Sequence, residues 1–149
     1  MRGGFSTRIH LLCDLHGHPL HSILSPGQAH ESSCLHELMK TCEVRGDDSE
    51  EFITPIFLAG DKGFLAKWID EYLVETSIQP IIPSKSNEDQ GARFVEFDKE
   101  TYQRRNIVER LFGWLKECRR ILTHFEKRAR HFLGMLKWAF IQKYLKTMG

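Results

Sequence analysis

Short apolar runs bounded by Gly and Pro, and longer segments whose apolar residues recur three and four apart, divide this chain into strands and helices. Arg8 to Asp14 (Arg-Ile-His-Leu-Leu-Cys-Asp) reads as a short apolar strand, and Leu15-His16-Gly17-His18-Pro19 supplies a turn into a second, Leu20 to Leu24, which Ser25-Pro26-Gly27 ends. The two strands predict an antiparallel hairpin. A helix starting near Glu31-Ser32-Ser33 carries Leu35, Leu38 and Met39, and the charged stretch Arg45 to Glu51 reads as an exposed loop. Pro55-Ile56-Phe57-Leu58-Ala59, bounded by Gly60, reads as a buried strand. An amphipathic helix from about Leu65 to Thr76 places Leu65, Trp68, Ile69, Tyr72 and Leu73 on one face, and Pro80-Ile81-Ile82-Pro83 reads as a further strand before a polar loop. Two long helices, roughly 99–119 and 127–146, close the chain. The order β-β-α-β-α-β-α-α predicts a mixed α/β layer fold.

Inside the first closing helix, Tyr102, Arg105, Glu109 and Lys116 read Tyr-x2-Arg-x3-Glu-x6-Lys. At about 100° per residue, offsets of three, four and seven return to the same side. One continuous helix would therefore carry a carboxylate ringed by two cations and a phenol, opposite an apolar face of Ile107, Val108, Leu111, Phe112 and Leu115. An ordinary solvated helix face has the same pattern, so spacing alone leaves both readings open. A second candidate is Leu58-Ala59-Gly60-Asp61-Lys62-Gly63-Phe64, where Asp61 stands between glycines at the carboxyl end of a strand. Ligand and catalytic groups of α/β sheets collect there, and flanking glycines admit a bulky phosphodiester; an Asp capping a helix at a tight turn fits equally well.

The 149 residues suggest one domain spanning 1–149, and 41% hydrophobic with 28% charged residues is ordinary composition that argues for neither disorder nor fibre. Apolar runs are short and interrupted by charge, and Met-Arg-Gly-Gly-Phe-Ser lacks the apolar stretch of a secretory signal, so a cytoplasmic protein without a membrane is expected. Cys13, Cys34, Cys42 and Cys118 form no Cys-x2-Cys pair and read as reduced packing thiols. A zinc module built from Cys13, His16, His18 and His21 with Cys34, His36 and Cys42 fits no compact tetrahedral spacing. His30 reads as a structural residue where the first helix begins, and Trp68, Trp114 and Trp138 as core or helix-packing residues. The net charge of +1 conceals a polarity: residues 1–98 hold 8 Lys/Arg against 16 Asp/Glu, a balance of −8, and residues 99–149 hold 13 against 4, a balance of +9. A basic segment interleaved with Tyr102, Phe112, Trp114, Phe125, Phe132 and Trp138 can track a phosphate backbone, or simply face water.

Taken together, these pieces resemble DDE-type insertion-sequence transposases of the IS-five and IS-four groups. The resemblance rests on the Tyr102, Arg105, Glu109, Lys116 signature. It extends to Gly3-Gly4-Phe5-Ser6-Thr7-Arg8-Ile9-His10-Leu11, Ser25-Pro26-Gly27-Gln28-Ala29-His30-Glu31-Ser32 and Gly60-Asp61-Lys62-Gly63-Phe64, in the family's order. It implies a ribonuclease-H-like mixed sheet flanked by helices, in which two Asp and one Glu hold Mg²⁺ or Mn²⁺ ions about 3.5–4 Å apart. Asp61 would be the second acid and Glu109 the third, both catalytic and metal-binding. Arg105 and Lys116 would contact DNA phosphates, and Tyr102 would position the strand. The implied partners are DNA, as transposon ends and target, and further copies of the chain in a homo-oligomer; when bound to DNA the protein would sit on the nucleoid. The family's first Asp lies on an opening strand upstream of the segment that here begins at Arg2-Gly3-Gly4. Asp14, at the hairpin end of the next strand, is not taken for it. The resemblance therefore implies the C-terminal part of a catalytic domain, lacking the first strand and inactive without an upstream transposase polypeptide or frame. The alternative is a DNA-binding or dimerising remnant that acts without catalysis, as an inhibitor in trans.

Overall fold

The predicted hairpin is present in the computed structural model, which describes residues 7–45, 51–85, 93–118 and 129–149. Strand β1 (Thr7–Cys13) pairs antiparallel with β2 (Pro19–Pro26). There follow α1 (Glu31–Thr41), β3 (Phe57–Ala59), a 3-10 turn at Lys62–Phe64, α2 (Lys67–Glu75), β4 (Gln79–Ile81), α3 (Lys99–Gln103), α4 (Asn106–Glu117) and α5 (Ala129–Met148). The mixed α/β class holds, as two two-stranded sheets among the described residues: β1 with β2, and β3 parallel to β4. The chain divides into two compact units, Met1–Ala29 with Asn106–Gly149, and His30–Arg105.

In the first unit the hairpin register sets Ile9 opposite Leu24 and Leu11 opposite Ser22. Alternation puts Ile9, Leu11 and Leu24 on one face, where they pack against Leu115 of α4 and Leu136, Ala139 and Phe140 of α5. The other face buries His10, whose Nε2 lies 2.7 Å from Ser25 Oγ. Gly17 in the turn has φ +81°, and a Cβ there would come within 3.2 Å of Ile107 Cγ2, so only glycine gives both the turn and the close approach to α4. Helix α5 is apolar on two sides: Leu136, Ala139 and Phe140 are buried, while Trp138, Ile141, Leu145 and Met148 face solvent.

The core of the second unit is Leu35 of α1, Ile69 and Leu73 of α2, and Ile78 and Ile82 around β4, with Leu58 and Phe64 packed against it. Helix α2 ends without glycine. Ser77 takes the left-handed conformation at φ 61°, Ser77 N–H donates to Val74 O and Ile78 N–H to Leu73 O at 2.7 Å. That is the Schellman pattern, and it delivers Ile78 into the core. Beneath α2, Asp70 is buried and forms a bidentate pair with Arg93, at 2.5 and 2.6 Å, while Arg93 also donates to Ile82 O.

Several expectations are corrected. The helix expected over 99–119 is two helices: Arg104 N–H donates to Thr101 O and Arg105 N–H to Tyr102 O, i→i+3 bonds that tighten the last turn of α3 and end it. The strand expected over 55–59 is the three-residue β3, half-buried, with Ile56 82% exposed. Helix α2 starts at Lys67 because Leu65 N–H closes the 3-10 turn on Lys62 O. Trp68 and Trp138 are exposed, at 41% and 61%, and are not core residues. Trp114 does pack against the first unit's core, with Lys143 Nζ 5.1 Å from its ring centroid. Gly3–Ser6, Phe125 and most of the loop expected over 45–51 lie outside the described residues.

Candidate functional site

Asp61 follows β3 directly. Gly60 N–H extends the pairing by donating to Ile81 O, and Asp61, in extended conformation, caps the 3-10 turn through Oδ1, which accepts from Gly63 N–H at 2.9 Å. The capping reading of the sequence is thus realised, and it fixes the carboxylate at the strand's carboxyl end. Phe64, anchored in the second unit's core, holds the turn in place. A Cβ on Gly63 would lie 1.7 Å from Glu31 Oε2 and 3.0 Å from Asp61 Oδ1. Glycine at 63 therefore lets two carboxylates close on the same point. Glu31, in the first turn of α1, is a carboxylate that strand and motif reasoning did not single out; its proximity to Asp61 spans a loop and leaves no local signal in the sequence.

Tyr102 and Arg105 come together in the second unit, the Arg105 guanidinium 5.4 Å from the Tyr102 ring centroid, with Phe97 on the ring at 5.3 Å. Stacking on the ring orients the guanidinium. Asp98 caps α3, accepting from Thr101 N–H at 3.0 Å and Thr101 Oγ1 at 2.6 Å; those bonds hold its carboxyl below the ordinary range. Glu109 and Lys116 belong to the first unit, on the exposed face of α4 opposite buried Leu111 and Leu115. The break at Arg104 and Arg105 interrupts the single helix on which the stripe was expected: Tyr102 lies on α3 and Arg105 just after it in the second unit, while Glu109 and Lys116 lie on α4 of the first.

Asp14 is occupied with structure. Its Oδ1 accepts from His16 N–H at 2.8 Å and His18 N–H at 2.9 Å, and its Oδ2 lies 2.9 Å from His18 Nδ1. Burial alone would raise its carboxyl, but these hydrogen bonds outweigh it and hold the group below its ordinary value. His18 stacks on Tyr144 of α5 at 5.4 Å, and the Tyr144 hydroxyl donates to Pro19 O. All four cysteines are free thiols. Burial, then the Asp14 charge, pushes the Cys13 thiol up to about 11, which makes it a poor nucleophile. Beside the turn lies a cavity of about 270 Å³, lined by Leu15, His16 and Gly17 of the turn, by α4 residues including Ile107 and Arg110, and by Lys143. Among the described residues no three His, Cys, Asp or Glu side chains converge as metal ligands, and no helix is long and apolar enough to cross a membrane.

An acid fixed at a strand end, a glycine-opened turn and a tyrosine-stacked arginine are parts suited to handling phosphodiesters. Residues 2–141 match the transposase DDE domain, and the chain belongs to that family. Membership places it in DNA transposition, with DNA as its partner, in a family that generally uses divalent metal ions. No curated protein and no solved structure matches the chain.

Proposed function

We propose that this chain takes part in metal-dependent DNA strand cleavage and strand transfer, with Asp61 and Glu109 as catalytic carboxylates within a ribonuclease-H-like domain. The observation that carries the reading is the family match over residues 2–141 together with the Tyr102, Arg105, Glu109, Lys116 signature. Cleavage is the attack of water on a phosphodiester with release of a 3′-hydroxyl; transfer is the attack of that hydroxyl on a target phosphodiester. The donors fit a hard divalent ion, since Asp61 and Glu109 offer only carboxylate oxygens. When bound, Mg²⁺ or Mn²⁺ would supply charge stabilisation at the attacking and leaving oxygens. The chain's own groups orient the substrate: Arg105, held against Tyr102, and Lys116 on α4 bind phosphates flanking the scissile bond, and Tyr102 positions the strand.

The test is a Mg²⁺-dependent cleavage assay on the element's end DNA, using protein expressed from its locus with the DNA upstream of the first codon included. Asp61→Asn and Glu109→Gln should each abolish cleavage and leave DNA affinity within about twofold, because a lost metal ligand removes transition-state stabilisation rather than ground-state binding. Cleavage retained by either variant overturns that residue's assignment. Salt-dependent binding by the wild type without any nicking would instead establish the non-catalytic, trans-inhibiting reading, which the +9 balance of residues 99–149 supports.

A further inference from the structure

We infer that the cavity between the hairpin turn and α4 is a seat for one phosphate of the bound DNA strand, held by Arg110, Lys143 and His16. The inference rests on the DNA-processing reading above but uses none of its catalytic residues. All three side chains line a single cavity of about 270 Å³ within the first unit. A concavity of that size, open to solvent on one side, admits a single phosphate group of a strand that continues outside it.

The charges lining it have no acid of their own. Arg110 donates to the neutral Asn106 Oδ1 at 3.3 Å, which steadies the guanidinium without neutralising it. Lys143 lies over the Trp114 ring, a contact that orients the ammonium and leaves its charge uncompensated. The His16 ring faces that of His18 at 6.0 Å, and Asp14 is committed to the His16 and His18 backbone N–H groups and the His18 ring. Among the described residues none of the three is ion-paired to a carboxylate. Two cations that line one small concavity without a carboxylate partner attract an anion there, and guanidinium and ammonium are the groups that phosphate recognition uses. The apolar wall formed by Ile107 suits the adjoining sugar, and Gly17, where any side chain would press on Ile107, keeps the mouth open. Arg110 follows Glu109 by one residue, about 100° round α4, so the seat lies beside the Glu109 carboxylate rather than on it. The phosphate it holds is a neighbour of the scissile one, and its role is strand register.

The experiment is fluorescence-anisotropy titration of the full chain with a mixed-sequence duplex oligonucleotide between 50 and 200 mM salt, without metal. Arg110→Gln and Lys143→Gln should each weaken binding and reduce the slope of log affinity against log salt by about 1, the loss of one phosphate contact. Arg110→Lys and Lys143→Arg, which keep the charge, should preserve the slope, as should Lys40→Gln on α1. An unchanged slope in both Gln variants, with wild-type circular dichroism and melting, overturns the seat. So does an equal loss in the charge-conserving variants, which marks a packing defect. The two readings fail separately. If Asp61→Asn and Glu109→Gln cleave normally while the Gln variants lose slope, the seat stands and the catalytic assignment falls; the reverse pattern leaves catalysis standing without the seat.

Discussion

Asp14 accepts two backbone N–H groups and faces an imidazole, so its removal unties the hairpin turn that packs against α4. Asp14→Ala should cost about 1–2 kcal/mol in urea unfolding, the range for a lost capping carboxylate. Its carboxyl is held below its ordinary value in the folded chain, so its contribution is present above the unfolded-state value near 3.8 and is lost as pH falls below it. His21 adds a separate step. Burial and then the Lys137 charge depress its imidazole, so the folded chain resists protonation, and stability should begin to fall as pH drops through 6.5. Two acid-side losses are expected, and His21→Gln should remove only the upper one. Asp70 and Arg93 carry larger stakes, being buried and bidentate. Asp70→Ala strands a guanidinium that is mostly shielded from solvent and should cost about 3 kcal/mol, whereas replacing both partners by apolar residues of similar volume should recover most of that loss in the same denaturation experiment.

At the scale of elements, Ser77 and Gly134 are exceptions with opposite signs. Ser77 ends α2 in a left-handed conformation that favours glycine, and Ser77→Gly should raise stability by up to about 1 kcal/mol, read as a shift of the urea midpoint at constant slope. Gly134 lies inside α5 with open space where a Cβ would stand, and Gly134→Ala should stabilise by about 0.5–1 kcal/mol. These two positions also explain what sequence reading could and could not find. The hairpin, α1 and α2 were legible because apolar period and turn residues are local, and so was the position of Asp61 at a strand end, because its glycines flank it. The break between α3 and α4 was not: no Gly or Pro marks it, and it is made by backbone bonds to Thr101 and Tyr102 that Arg104 and Arg105 advertise in no way. The pairing of Asp70 with Arg93, 23 residues apart, and the approach of Glu31 to Gly63 depend on how segments meet, which periodicity does not encode. The exposure of Trp138 was misread because α5 repeats apolar residues at helical spacing on two sides, and spacing alone does not say which side is covered.

Across the whole molecule, charge and core are separated, and this sets what a metal ion can do. Both cores are aliphatic and aromatic, Leu35, Ile69, Leu73, Ile78 and Ile82 in one, Leu115, Leu136, Ala139 and Phe140 in the other. Neither cluster contains a carboxylate, and the buried Asp70 is already neutralised by Arg93. On the proposed reading, a divalent ion at Asp61 or Glu109 would be a ligand of the surface rather than a member of the fold, unlike structural zinc, whose binding energy is folding energy. Chelation should leave the melting temperature within about 1 °C of its value in Mg²⁺, since at most a weak surface site contributes by mass action, while abolishing strand cleavage. The charge polarity adds a second, independent expectation. In the proposed complex the basic residues of 99–149 would attract the phosphate backbone, whereas Asp61, with Glu31 near it, would bring negative charge toward it. At constant ionic strength Mg²⁺ should then strengthen duplex binding by the wild type, and less so in Asp61→Asn, where one repulsive carboxylate is already gone. A melting temperature that collapses on chelation would make the metal structural, and equal Mg²⁺ enhancement in wild type and Asp61→Asn would remove Asp61 from the surface that meets DNA.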